Sequence, residues 1–206
     1  KFEIKLHGND NAFKIDWGDG TIETKTNANK ISHNYTSAGT REIKIYASEA
    51  GQKFNGWNLK ESYSAKYLTH VLNWGDIKFT NMSYMFMNAE KLNSLPNTPP
   101  DTSQVTNMSY MFASAKAFNQ PVNFSDTSKV TNMNAMFDSA AAFNQPLNFN
   151  TSKVTDMSHM FHYAKNFNKP ISFDTKNVTN MSYMFFGAAV FNQPVNFNTE
   201  NVTNMN

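Results

Sequence analysis

An Asn-Met or Asp-Met step is written six times, at Met82, Met108, Met133, Met157, Met181 and Met205, at intervals of 26, 25, 24, 24 and 24 residues. A unit of this length cannot bury its own apolar face, so the next unit must cover it, and a chain built this way stacks. That period commits most of the 206 residues to a repeat architecture.

Within a unit, Met108, Met111, Phe112, Ala115 and Phe118 stand at i, i+3, i+4, i+7 and i+10, a spacing that predicts one face of a helix of roughly three turns. Thr106 and Asn107 precede it with side-chain oxygens suited to the free amides of a first turn. The same columns return at Met133, Met136, Phe137, Ala140 and Phe143, and again in the two units that follow. Then the period changes to two. Val122 and Phe124 alternate with Asn123, and Leu147 and Phe149 with Asn148, each pair following a proline. Proline is accepted at the first residue of a strand, so Pro121, Pro146, Pro170 and Pro194 mark expected strand starts. The predicted fold class is α+β: a small antiparallel β domain over residues 1–60, a cap over 61–80, and over 81–206 a solenoid of helix, turn and short parallel strand.

The string F-N-Q-P-[VL]-N-F, at residues 118–124, 143–149 and 191–197, is coupled to T-S-K-V-T-[ND]-M-[SN]-x-M-F, at residues 127–137 and 151–161. Together they resemble the repeat, about 26 residues long, of bacterial surface proteins and mycoplasma-type lipoproteins, a relative of BspA-like leucine-rich repeats. The resemblance implies a leucine-rich-repeat-like solenoid, secreted or at the cell surface, anchored by lipid or to the wall outside this stretch and engaged in adhesion. It carries no shared catalytic residues. In the first 60 residues, Phe2–Leu6, 12–17 and 41–46 alternate polar and apolar as half-buried strands do. Asp16-Trp17-Gly18-Asp19-Gly20-Thr21 and the segment from His33 to Thr40 resemble the signatures of polycystic-kidney-disease-type immunoglobulin-like domains, which implies a β-sandwich.

Lysine plus arginine number 18 against 16 acidic residues, with one arginine, Arg41, and no basic run, so a nucleic-acid partner is not expected. The absence of cysteine removes disulfides, thiolate metal sites and thiol nucleophiles. No apolar run is long enough for a membrane span. The chain starts at Lys1 without a signal peptide and stops at Asn206 as another unit begins, so further repeats and a C-terminal cap are expected. No residue sits in a recognisable nucleophile or general-base context, and no enzyme, cofactor or metal is expected. Asp16 and Asp19 are two carboxylates without further acidic neighbours, which favours a turn over a calcium cage. His159 and His162 fall in varied columns and read as surface variation.

The candidate ligand-binding residues form two sets. Tyr84, Tyr110, His159 and Tyr183 share one column off the Met/Phe face, a row of rings with polar tips suited to a glycan or a protein on another cell, or to sealing neighbouring units. Gln120, Asn123, Gln145, Asn148, Gln193 and Asn196 would form a polar amide surface along the expected strands. The function these features imply is a non-enzymatic adhesin or recognition module, with a structural spacer as the alternative. A further reading, binding to an ice or crystal surface, requires two outward threonine rows, one at Thr106 and one at Thr102.

Overall fold

The computed structural model describes residues 1–7, 13–25, 30–47, 56–75 and 77–206. Apolar alternation builds the N-terminal part as expected in kind. Strands β1 (Phe2–Leu6), β2 (Phe13–Asp16), β3 (Ile22–Lys25), β4 (Lys30–His33), β5 (Lys44–Ala47) and β6 (Trp57–Asn58) form two antiparallel sheets, ordered β4-β1-β6 and β3-β2-β5. Ile4, Leu6, Phe13, Ile15, Trp17 and Ile31 are the buried apolar residues of these strands and their turn. Ala12, the start of one expected strand, lies outside the described residues. The β2–β3 turn needs glycine at Gly18, whose φ is 73° and whose missing Cβ would sit 2.4 Å from the Glu42 carbonyl oxygen.

The N-terminal sheets and the repeats are joined by hydrogen bonds. β6 pairs with β1, the Leu59 N–H donates to the Tyr84 carbonyl at 3.0 Å, and the Ser62 hydroxyl donates to the Glu3 carbonyl at 2.8 Å. Trp57 and Trp74 each lie against Phe79 and Phe86, covering the first apolar layer of the repeats. His7 is set into this seam with Nε2 2.9 Å from the Ser83 carbonyl oxygen. Burial holds its pKa below the ordinary 6.5, the hydrogen bond to Ser83 opposing in part. Above 6.5 the ring is neutral whether the chain is folded or not; below it the unfolded chain takes up the proton first, so stability falls as pH drops through that value. The carboxylates with lowered pKa, among them Glu3 beside Lys30, act only further down, below 4.5. Chemical unfolding at pH 8 and pH 5.5 is therefore expected to show a loss of stability that His7→Gln removes; an equal loss in the variant would show that His7 is not its source.

The repeats depart from the predicted unit. Among the described residues the one helical segment is a three-residue 3-10 turn, Ala65–Tyr67, and the fold is nearly all-β, with two small antiparallel sheets and no helix-turn-strand solenoid. The reason is where the backbone amides go. Met108, Tyr110, Phe112 and Ser114 donate not to their own coil but to the carbonyls of Asn132, Asn134, Met136 and Asp138 in the next, at 2.7–2.9 Å. The alternate residues Met111, Ala113 and Ala115 close three-residue turns onto Met108, Tyr110 and Phe112 at 3.0–3.3 Å. A helix needs every amide on the carbonyl four residues back. Here Tyr110 and Ser114 take φ of 55° and 57°, which breaks any right-handed run, and the same pair of corners recurs at Tyr84 and Asn88, Ala135 and Ser139, and His159 and Tyr163. Linked turns still send Met108, Met111, Phe112, Ala115 and Phe118 inward, all with 0% exposure, so the spacing identified the core and misidentified the element.

The expected strands after Pro121, Pro146, Pro170 and Pro194 are also absent, and in the cap segment a single parallel bridge joins His70 to Ser94. Parallel bridges run instead through Asn81, Asn107, Asn132, Asp156, Asn180 and Asn204. Each of the first five also accepts the amide two residues on, as Asn107 Oδ1 does from Ser109 at 2.8 Å, a side-chain turn where a helix cap was expected. Elsewhere side chains tie coil to coil. Asn119 Oδ1 accepts the Asn144 amide, Asn144 that of Asn168, and Asn168 that of Asn192, at 2.9–3.0 Å. Thr127, Thr151 and Thr175 are buried and donate to the carbonyls of Asn150, Asp174 and Asn198. Inside, two phenylalanine files run the length of the stack, and Phe112, Phe137 and Phe161 each lie 4.1–4.4 Å, centroid to centroid, from Phe118, Phe143 and Phe167.

Candidate functional site

Tyr84, Tyr110, His159 and Tyr183 occupy the first left-handed corner of their coils, with φ of 54–58°. A non-glycine residue in this region costs about 1–2 kcal/mol, and both hydrogen bonds at the corner offset it: Tyr110 N–H reaches Asn134 at 2.8 Å while Met111 N–H closes on Met108. The structure brings these rings together in two pairs. Tyr84 stacks on Tyr110 at 5.0 Å and 7°, and the Lys60 ammonium lies 4.8 Å from the Tyr84 centroid, so Tyr84 is held between a ring and a cation. Burial raises the Tyr110 hydroxyl's pKa. His159 lies 5.1 Å from Tyr183. Between the pairs comes Ala135, 1% exposed, which ends the row.

His159 also packs edge-on against His162 at 5.0 Å, and His162 Nδ1 lies 2.8 Å from Asp138 Oδ1. Tyr163 and Phe186 extend this cluster at the surface. Among the described residues no three His, Asp or Glu side chains gather where a metal ion would be held. Asp16 Oδ1 accepts the Gly18 amide; Asp19 accepts that of Thr21 and places Oδ2 2.7 Å from His33 Nε2, so both carboxylates are engaged by the turn. The hydrogen bond with His33 holds the Asp19 carboxyl below its ordinary pKa.

The amide set divides as well. Gln120, Asn123, Asn148 and Asn196 are exposed. Gln145 is half-buried and donates from Nε2 to the Asn119 carbonyl and side-chain oxygens at 3.1 Å, and Gln193 donates to Asn168 Oδ1 at 3.1 Å, so these two fasten neighbouring coils. With no strand ladder beneath them, the six do not make a flat sheet face. The ice-surface reading loses its second row, since Thr102, Thr127, Thr151 and Thr175 point inward and are buried.

One concave feature has no mark in the repeat spacing. Glu61, Ser62, Tyr63 and Lys66 of the segment before the repeats face Asn88 and Glu90 of the first coil across an open cleft of about 580 Å³. Asn88 belongs to a repeat column, that of the second left-handed corner, and the facing wall belongs to none; the two tyrosines Tyr63 and Tyr67, standing in a polar stretch, are its hint in the sequence.

The repeat columns, the paired Asn and Thr bonds and the coil-to-coil amides fall within a stretch matched by the family described as "Mycoplasma protein of unknown function, DUF285", over residues 57–149 and 147–206. The chain belongs to this family. No curated protein and no solved structure matches it. The DUF285 match starts at Trp57, the first residue of β6, so the strand that opens the family segment is also the one that completes the first N-terminal sheet. No helix among the described residues is long and apolar enough to cross a membrane.

Proposed function

We propose that the chain is a non-enzymatic recognition module of a bacterial cell surface, binding a protein or a glycan on another cell through the outer face of its repeats. The observation that carries this reading is the division of labour among columns. The inward positions repeat Met, Met, Phe, Ala and Phe with little change, while the outward corner varies as Tyr84, Tyr110, Ala135, His159 and Tyr183 on the same backbone. A rigid scaffold with interchangeable surface residues is the arrangement that binding repeats use. The resemblance of the repeats to those of bacterial surface proteins is what favours an extracellular location.

A spacer without a ligand is the second reading. It is favoured by Tyr84, whose ring is covered by Tyr110 and Lys60, and by Gln145 and Gln193, which are spent on holding coils together. A screen of the protein against arrayed glycans and immobilised matrix and serum proteins separates the two. Saturable binding is expected, weakened about tenfold or more in a folded Tyr110→Ala, His159→Ala, Tyr183→Ala variant if the corner row makes the contact. Absence of any saturable partner would leave the spacer.

A further inference from the structure

We infer that the cleft between residues 61–66 and the first coil is a binding site for an anionic saccharide, carboxylated or sulfated. This rests on the recognition reading and places the ligand at the N-terminal end of the repeats. The Tyr63 side chain is 95% exposed, a large ring with one edge of the cleft to itself and almost no packing within the chain. Exposed aromatic faces take up the C–H face of a sugar ring, and a hydroxyl at the ring's end adds a hydrogen bond. Asn88 offers an amide from a left-handed corner at φ 61°, its backbone N–H fixed on Ala113 at 2.8 Å. Amide and carboxylate groups beside an aromatic ring are the donors and acceptors that hydroxyls require.

Charge selects among sugars. Both acids of the cleft are neutralised from outside it, Glu61 by Lys5 at 2.5 Å and Glu90 by Lys116 at 2.9 Å. Lys66 has no carboxylate partner among the described residues, and its ammonium rests 5.3 Å from the centroid of Tyr67. The cleft is left with one uncompensated positive charge beside a free ring, which favours a sugar bearing an anion within reach of that ring. The volume of about 580 Å³ suits one or two sugar rings rather than a folded partner.

The test is calorimetric titration of the protein with a hyaluronan tetrasaccharide, sialyllactose, a sulfated disaccharide and neutral cellobiose. Saturable binding of at least one anionic sugar is expected, with cellobiose about tenfold weaker or silent. Tyr63→Ala and Lys66→Gln are each expected to weaken binding about tenfold, with Lys66→Arg and Tyr63→Phe retaining most of it. Tyr63 and Lys66 are both surface groups, and Lys176→Gln, at an exposed position far along the stack, should leave the affinity unchanged. Equal binding of cellobiose, or anionic binding insensitive to Tyr63 and Lys66, overturns the inference. If no sugar binds while the surface screen still finds a protein partner, the cleft inference falls and the recognition reading stands; if both are silent, both fall.

Discussion

Phe137→Ala is expected to destabilise the repeats by about 3–5 kcal/mol, among the largest single losses open to a chain whose total stability is of order 5–15 kcal/mol. Phe137 is 0% exposed and packs 4.1 Å from Phe143, with Phe112 at 5.5 Å on one side and Phe161 at 5.8 Å on the other. Truncation removes the ring from the middle of a file and from the face of its partner at once. Neighbouring coils are pinned by backbone bonds on both sides, Phe137 itself donating to Met160 at 2.9 Å, so the space left behind closes poorly. Urea unfolding checks the figure. Tyr183→Ala, at an exposed corner, should stay within about 0.5 kcal/mol. A Phe137 loss no larger than that would mean the files do not form the core described.

Ser114 gives the sharpest test of what the coils are made of. In a helix, Ser114→Gly would cost roughly 0.5–1 kcal/mol. At a φ of 57° the sign reverses, because glycine relieves about 1–2 kcal/mol of steric cost, part of which the greater freedom of the unfolded chain takes back. A gain of up to about 1 kcal/mol is expected. Ser114→Pro acts the other way. Its ring fixes φ near −65° and deletes the amide that reaches Asp138 at 2.7 Å, so a loss of at least about 3 kcal/mol is expected, with partial separation of the two coils. Destabilisation by glycine, together with a strong helical signature in far-ultraviolet circular dichroism, would overturn the turn assignment.

The inward residues were legible because burial repeats with the sequence whatever the backbone does. Met108, Met111, Phe112, Ala115 and Phe118 face the core in a helix and in linked turns alike. The element was not legible because nothing local marks Tyr110 or Ser114 as left-handed. Glycine or asparagine would have announced those corners; Gly187 and Asn88 do, but in one coil each. What holds them is the carbonyl row of the next coil, a long-range partner with no local trace. The chemistry at Asn107 was read correctly as amide capture, yet the amide belongs to a turn. Of the candidate site, pairwise stacking followed from the column, whereas the break at Ala135 and the Lys60 cover of Tyr84 depend on packing across units. The cleft was hidden for the same reason: its walls come from two segments that no period connects.

The intervals between Asn-Met steps locate the slack in each coil. The 25-residue unit carries Ser125 as its extra residue, and that hydroxyl bonds back to the Pro100 carbonyl at 2.9 Å while the bridges at Asn107 and Asn132 keep their register. Small insertions are thus absorbed in one loop, and only whole units change the number of layers. Each added unit would lengthen the stack by one parallel spacing of about 4.8 Å. Gain or loss of such near-identical segments would therefore change the length of the stack and the number of outward corners in whole steps, with the contacts between coils unchanged in kind.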